Sequence, residues 1–127
     1  MPHFSLHIRE EALDEKVEPK LISALTDAVG SVFGAEFRRL VGVELIGVPQ
    51  RRRAVGGMVV EGDAPEVTLS LREGAFHLPM VPDAPGRLVA AITDALAGVL
   101  GEAVREQVRV TLVGVPEGRS GVAGALV

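Results

Sequence analysis

The 127-residue sequence contains no cysteine, no tryptophan and no tyrosine, and it has only four phenylalanines. Without cysteine the chain can form neither a disulfide framework nor a thiolate metal site, which is typical of proteins in a reducing compartment. No apolar run approaches the roughly 18 residues of a membrane-spanning helix, and the first residues include acidic side chains where a secretory signal would be basic. We therefore expect a cytoplasmic protein with no membrane partner.

The chain also lacks the excess of positive charge that nucleic-acid-binding proteins carry. It has 13 Lys and Arg against 17 Asp and Glu, a formal net charge of −4, so no nucleic-acid partner is expected. Its arginines are clustered, which leaves small anions as candidate ligands. The length is that of one domain, and the core must consist of Val, Leu, Ile and Ala side chains because aromatic residues are so few.

The sequence repeats itself, and the repeat sets the expected architecture. Two segments recur 67 residues further along the chain: LISALTDAVGSVFG (21–34) as LVAAITDALAGVLG (88–101), and VELIGVPQRRRAVGG (43–57) as VTLVGVPEGRSGVAG (110–124). A third segment, PHFSLHIRE (2–10), recurs 63 residues further along as PEVTLSLRE (65–73), so the second copy has four additional residues. We predict a single domain, 1–127, made of two units at about 2–57 and 65–124.

Each unit is predicted to fold as strand, helix, strand. Alternating apolar and polar residues in HFSLHI and VTLSL are typical of half-buried strands, and apolar residues at helical spacing follow in both units. Parallel strands joined by a helix make a right-handed crossover. The expected fold is therefore α+β, a four-stranded mixed sheet with two helices on one face. Apolar side chains left on the other face predict association of subunits there, around a polar row of His3, Ser5, His7, Thr68 and Ser70.

The sequence resembles the tautomerase superfamily over essentially its whole length. The features that carry the resemblance are the tandem repeat, the MP that opens the first strand, and the GVP…G turn that closes each unit. The two-repeat, trimeric branch, which includes 5-carboxymethyl-2-hydroxymuconate isomerase and macrophage migration inhibitory factor, is the most similar in layout. The resemblance implies a homotrimeric tautomerase or isomerase that needs no cofactor.

The resemblance also implies a catalytic role for Pro2. A proline at the start of a strand is ordinary, because that position needs no ladder hydrogen bond. If Met1 is removed, however, Pro2 carries a free secondary amine that can act as a general base on a small enol or unsaturated carboxylate. Such a base works best with its pKa near the ambient pH, and apolar burial and nearby cations both lower the pKa of an amine.

Arginines are the candidate ligands for a substrate carboxylate, because guanidinium groups bind carboxylates bidentately. Arg9 lies seven residues after Pro2 on the same strand, about 23 Å away, which is too far to contact a substrate bound at Pro2 of its own chain. If the two units are related by a pseudo-twofold axis, their first strands run antiparallel and Arg72 comes beside Pro2. The resemblance further implies that Arg109 and Thr111 contribute to the proline pocket of a neighbouring subunit.

Several positions depart from the family pattern. Gly42 is the first-unit equivalent of Arg109, and alanines stand at positions 12 and 35, near which some relatives have an arginine or a lysine. No acidic residue stands where hydrolytic relatives have their water-activating acid. These departures favour isomerisation, and they leave two alternatives open: a non-catalytic trimeric binding or structural protein, and a hydratase, decarboxylase or dehalogenase of the same superfamily.

Other polar motifs receive plainer interpretations. His3 and His7 have the spacing of a metal pair, but no third ligand is evident and no metal is expected. The segment QRRRAVGG (50–57) is interpreted as a solvated turn, although Arg52 and Arg119 recur in both units. His77 lies in the loop that holds the four additional residues, as a surface residue or part of a lid.

Overall fold

The computed structural model describes residues 1–127. The first unit contains strand β1 (His3–Arg9), helix α1 (Val17–Phe33), strand β2 (Gly42–Val48) and a hairpin of β3 (Ala54–Val55) with β4 (Met58–Val59). The second unit contains β5 (Glu66–Arg72), α2 (Ala84–Leu100), β6 (Arg109–Val115) and a hairpin of β7 (Gly121–Val122) with β8 (Ala125–Leu126). Short 3-10 helical turns join strands to helices in both units.

The four long strands form one mixed sheet in the order β2-β1-β5-β6. β1 is parallel to β2, β5 is parallel to β6, and the two central strands, β1 and β5, are antiparallel. Both helices cover one face, so the α+β fold expected from the repeat is confirmed. The repeat also extends to ion pairs. Arg38 Nε donates to Asp27 Oδ1 at 2.7 Å, and Arg105 Nη1 donates to Asp94 Oδ1, 67 positions further on, at 2.7 Å.

The hydrophobic core lies between the sheet and the helices and is almost entirely aliphatic. Alternate residues of the two central strands are fully or almost fully buried, and residues at helical spacing in α1 and α2 pack against them. Burying each such side chain stabilises the fold by about 1.5–3 kcal/mol. No polar residue is buried. The core members include Phe4, Leu6, Ile8, Val67, Leu69 and Leu71 from the strands, with Leu21, Leu25, Val29, Leu88, Ile92 and Leu96 from the helices.

The opposite side of the sheet, called here the open face, carries no helix. Its side chains include the predicted polar row of the central strands, together with apolar residues of the edge strands such as Val113, which is 40% exposed. Neither helix, at 17 residues each, has the length and apolar character needed to cross a membrane.

Local interactions explain where helix α1 begins and where both helices end. The Asp14 carboxylate accepts hydrogen bonds from the backbone N–H groups of Lys16 and Val17, both at 2.8 Å, before α1 begins. α1 ends at Gly34, whose φ of 120° lies in the region that favours glycine, and α2 ends in the same way at Gly101, with φ 105°.

The hydrogen bonds from Val17 and Lys16 hold the pKa of Asp14 below its usual value. A carboxyl whose pKa is lowered on folding stabilises the fold above its unfolded-state pKa, and that stability is lost as the pH falls through the folded-state pKa. We expect Asp14→Asn to lower the melting temperature at pH 7, and the difference from wild type to shrink below about pH 4. Thermal melts from pH 7 to pH 3 test this, with Glu15→Gln as the control. A difference that persists unchanged at pH 3 would contradict a stabilising role of the Asp14 charge.

Candidate active site

The start of β1 meets the end of β5, and this juxtaposition brings Pro2 and Arg72 together. The antiparallel register pairs His3 with Ser70, so Pro2 lies level with Leu71 and next to Arg72. The Pro2 carbonyl oxygen accepts a hydrogen bond from the backbone N–H of Gly42 at 2.9 Å. That bond fixes the residue at the sheet end from the side of β2. We call this region, defined by Pro2 and Arg72, the Pro2 end.

A cleft of about 200 Å³ opens at the Pro2 end. Its walls are apolar, and Arg72 contributes the single charged side chain among the lining residues. We call it the Pro2 cleft. It combines one cation with a low-polarity wall, which suits a small molecule that carries one carboxylate and an apolar part. The lining residues are Met1, Pro2, Val29, Phe33, Phe37, Leu40, Leu71, Arg72, Ala75 and Leu78.

The other end of the central strand pair contains the equivalent residues, Pro65 and Arg9, and we call it the Pro65 end. Here the arginine is already paired with an acid of the chain. Arg9 Nη2 lies 3.0 Å from Asp63 Oδ1 and Nε lies 3.3 Å from the same oxygen. Arg72 forms no ion pair within the chain. Of two equivalent guanidinium groups, the one beside Pro2 is therefore available to an external carboxylate.

The linker between the two units, residues 60–64, closes the Pro65 end. The backbone N–H of Ala64 donates to Gln107 Oε1 at 3.0 Å, and Pro65 is fully buried. The ladder between the central strands continues into the linker, where the backbone N–H of Arg9 donates to the Asp63 carbonyl oxygen at 3.1 Å. At the Pro2 end, Met1 takes the place of Ala64 and is 74% exposed. The two ends are thus built alike, and only the Pro65 end is covered by the linker.

Arg109 and Thr111 lie on the edge strand β6, away from the Pro2 cleft of their own chain. They pair with Glu66 and Thr68 on β5. Glu66 in turn lies level with His7, five residues from Pro2, which is about 17 Å along the strand. Arg109 lines a groove of about 630 Å³ that also contains Arg52 and Arg53 together with several acids. One chain therefore does not bring Arg109 and Thr111 to Pro2.

The histidines are exposed and sit in separate places. His77 Nε2 lies 3.0 Å from Glu73 Oε1, and His3 Nε2 lies 3.8 Å from Glu44 Oε2. No group of three His, Asp or Glu side chains is close enough to hold a metal ion.

Sequence reasoning missed two parts of the site. The first is the apolar wall formed by Phe37 and Leu40, which lie beyond the helix end at Gly34 and outside its periodic pattern. The second is the Arg9–Asp63 pair, which joins residues 54 positions apart. A signal for it was present: an aspartate stands two residues before Pro65.

Comparisons with solved structures identify the architecture. A fused 4-OT in a symmetric trimer matches with a TM-score of 0.78 and 25% identity, over 98% of this chain and 94% of that chain. A macrophage migration inhibitory factor-like protein from Entamoeba histolytica matches with a TM-score of 0.74 and 9% identity, over 99% and 98% of the two chains. The chain has the tautomerase fold. Pt0534 inactivated by 2-oxo-3-pentynoate shares this fold, at a TM-score of 0.80 and 22% identity over 98% and 94% of the two chains.

No family model and no curated protein sequence matches the chain. The resemblance seen in the sequence is thus confirmed at the level of the tautomerase fold, because the solved structures share that fold with this chain.

The unequal pairing of the two arginines predicts unequal effects on stability. Arg9→Gln removes a half-buried ion pair with two short contacts and should lower the free energy of unfolding by about 1–2 kcal/mol. Arg72→Gln removes no ion pair, and we expect a change within about 0.5 kcal/mol. Urea unfolding of both variants at pH 7 measures the difference. A loss for Arg72→Gln as large as that for Arg9→Gln would show that Arg72 is a structural residue.

Proposed function

We propose that the chain is a tautomerase or isomerase that uses the amine of Pro2, freed by removal of Met1, as a general base on a small enol or unsaturated carboxylate. The observation that carries this proposal is the pairing of Pro2 with an arginine that has no acidic partner, in an apolar cleft. The Pro65 end supports it by contrast. There the equivalent arginine holds the carboxylate of Asp63, so the geometry beside these prolines is suited to a carboxylate.

The surroundings of Pro2 favour a proton-accepting amine. Apolar walls disfavour the charged ammonium form, and the Arg72 guanidinium repels it, so both keep the amine neutral and able to accept a proton. The hydrogen bond from Gly42 to the Pro2 carbonyl oxygen holds the residue in place. A positioned general base accelerates proton transfer by typically about 10²–10⁴-fold.

The proposed reaction moves one proton between two atoms of the substrate. Pro2 nitrogen takes a proton from the carbon next to a carbonyl, or from the hydroxyl group of an enol substrate, and the electron pair of the broken bond becomes part of an enolate. The same nitrogen then returns the proton to another atom of the conjugated system, so nothing is gained or lost. Arg72 holds the substrate carboxylate, and its positive charge stabilises the enolate as it forms.

We also propose that the protein is a homotrimer whose site is completed across a subunit interface. The fused 4-OT in the comparison is a symmetric trimer. Here β6 is an edge strand with Arg109 and Thr111 exposed, and both lie too far from Pro2 of their own chain to contact the same substrate. Arg109 and Thr111 of one protomer would then face the Pro2 cleft of another. In this proposal each protomer is one domain of two units, about 2–57 and 65–124.

Removing the proposed base should slow turnover strongly. We expect Pro2→Ala, which keeps a free but primary and more mobile amine, to lower kcat for phenylenolpyruvate by about 10²–10⁴-fold. Arg72→Gln should raise KM, because it removes carboxylate binding, and should also lower kcat, because it removes the charge that stabilises the enolate. Ultraviolet absorbance follows the enol-to-keto conversion, and intact mass shows whether Met1 has been removed. Undiminished activity in Pro2→Ala, or a wild-type chain that retains Met1, would overturn the proposal in favour of a non-catalytic binding protein.

A second readout of the same prediction needs no knowledge of the natural substrate. Pt0534 is inactivated by 2-oxo-3-pentynoate, a carboxylate with an alkyne that accepts amine nucleophiles. If Pro2 has a free amine, its nitrogen bonds to an alkyne carbon, and the amine proton passes to the neighbouring carbon. The chain should then gain the full mass of one reagent molecule at Pro2. A chain that retains Met1, with Pro2 nitrogen in an amide bond, is the control and should not be modified there.

The role of Arg109 across the interface predicts complementation. Arg109→Ala and Pro2→Ala homotrimers should each be poorly active. After subunit exchange at equal amounts, about a quarter of the sites combine an intact Pro2 with a partner's intact Arg109, and activity should recover in proportion. If Arg109 acted only within its own chain, no site would be restored. Light scattering before and after exchange confirms the trimer, and a monomer would contradict the assembly.

A further inference from the structure

The two ends of the sheet also differ in the volume of a second pair of equivalent cavities. At the Pro2 end, a cavity of about 290 Å³ lies beside Arg72, between the end of β6 and the β7–β8 hairpin. We call it the Ser120 cavity. At the Pro65 end, the equivalent space beside Arg9 has a volume of about 10 Å³, which is room for no more than one water molecule. The Ser120 cavity is lined mainly by Arg72, Val115, Pro116, Glu117, Ser120 and Val127.

Two features distinguish the space at the Pro65 end. The linker residues Gly62 and Ala64 help to line it, and Arg53, the repeat equivalent of Ser120 67 residues earlier, puts a long side chain at its wall. That side chain is 18% exposed, and its Nη2 lies 3.4 Å from Glu66 Oε2. Its Nη1 is buried without a hydrogen-bond partner. The short side chain of Ser120 leaves the corresponding space accessible.

The Ser120 cavity is polar where the Pro2 cleft is apolar. Arg72 is the one residue that lines both spaces, and its position is called here the junction. Glu117 also lines the Ser120 cavity, and like Arg72 it forms no ion pair within the chain. The cavity therefore presents a hydroxyl group together with a cation and an anion, and neither charged group is paired within the chain.

We propose that the Ser120 cavity is a subsite of the Pro2 site that binds a polar, hydrogen-bond-donating arm of the substrate, and that residue 120 determines which substrates fit. Arg72 binds the substrate carboxylate at the junction, and the Pro2 cleft takes the apolar part. Glu117 and Ser120 accept hydrogen bonds from a hydroxyl or amine on the arm. This assignment rests on the proposed function for the location of the carboxylate. It selects substrates that carry such a group beyond the carboxylate.

The test measures binding, so that it is independent of turnover. Hexanoate and 6-hydroxyhexanoate have the same chain and differ in the terminal hydroxyl group. Wild type should bind 6-hydroxyhexanoate more tightly, because the hydroxyl reaches Glu117 and Ser120. Ser120→Arg, which copies the side chain of the Pro65 end, should lower this preference by about tenfold, the order of one hydrogen bond to a charged group. Ser120→Leu fills the cavity without adding charge and should have the same effect.

Calorimetric titration gives Kd for both acids in wild type, Ser120→Arg, Ser120→Leu and the matched control Ser23→Arg, which puts the same side chain on the exposed face of α1. The control should keep the wild-type preference, and circular dichroism confirms that each variant is folded. An unchanged preference in both position-120 variants would overturn the subsite, as would failure of wild type to bind either acid. Binding that follows the expected pattern in a protein without tautomerase activity would support the subsite and overturn the proposed reaction.

Discussion

The antiparallel pairing of β1 with β5 is the contact on which the positions of the candidate-site residues depend. It joins the two units through their first strands, so each strand begins beside the end of the other. Each proline at a strand start thereby lies next to an arginine from the other unit. The same strand pairing forms the centre of the core, since Phe4, Leu6 and Ile8 pack with Val67, Leu69 and Leu71. Stability and site geometry therefore depend on one register, and a slip of one residue would invert both faces of the strand.

The two ends of this strand pair have similar sequences, but they differ in the segments of the chain that cover them. At the Pro65 end the linker supplies a carboxylate for Arg9 and a backbone N–H for Gln107, while Arg53 fills the remaining space. The Pro2 end has no counterpart of these three features, and Arg72 lines two separate spaces there. The closed end acts as an internal reference: it shows which groups satisfy the arginine when the chain itself provides them.

The sequence was sufficient to predict the fold and part of the site. Strand alternation and helical spacing are local patterns, and the constant offsets of the repeat fixed how many elements to expect and in which order. The position of Arg72 beside Pro2 followed from symmetry between the units. The contacts of Asp63 and Phe37 did not follow, because they depend on the path of irregular segments after the repeat pattern ends. Nor could the volume beside Ser120 be anticipated, since it depends on the packing of a hairpin against a strand end.

The closed Pro65 end also leaves a single unpaired arginine at the ends of the central strands. Two separate copies of such a unit, paired through their first strands, would present two equal ends with two arginines able to bind an anion. A chain that continues from one unit to the next must cross one of these ends, and here that crossing buries Pro65 and neutralises Arg9. Joining the units thus converts two equal ends into one covered end and one end whose arginine is left unpaired.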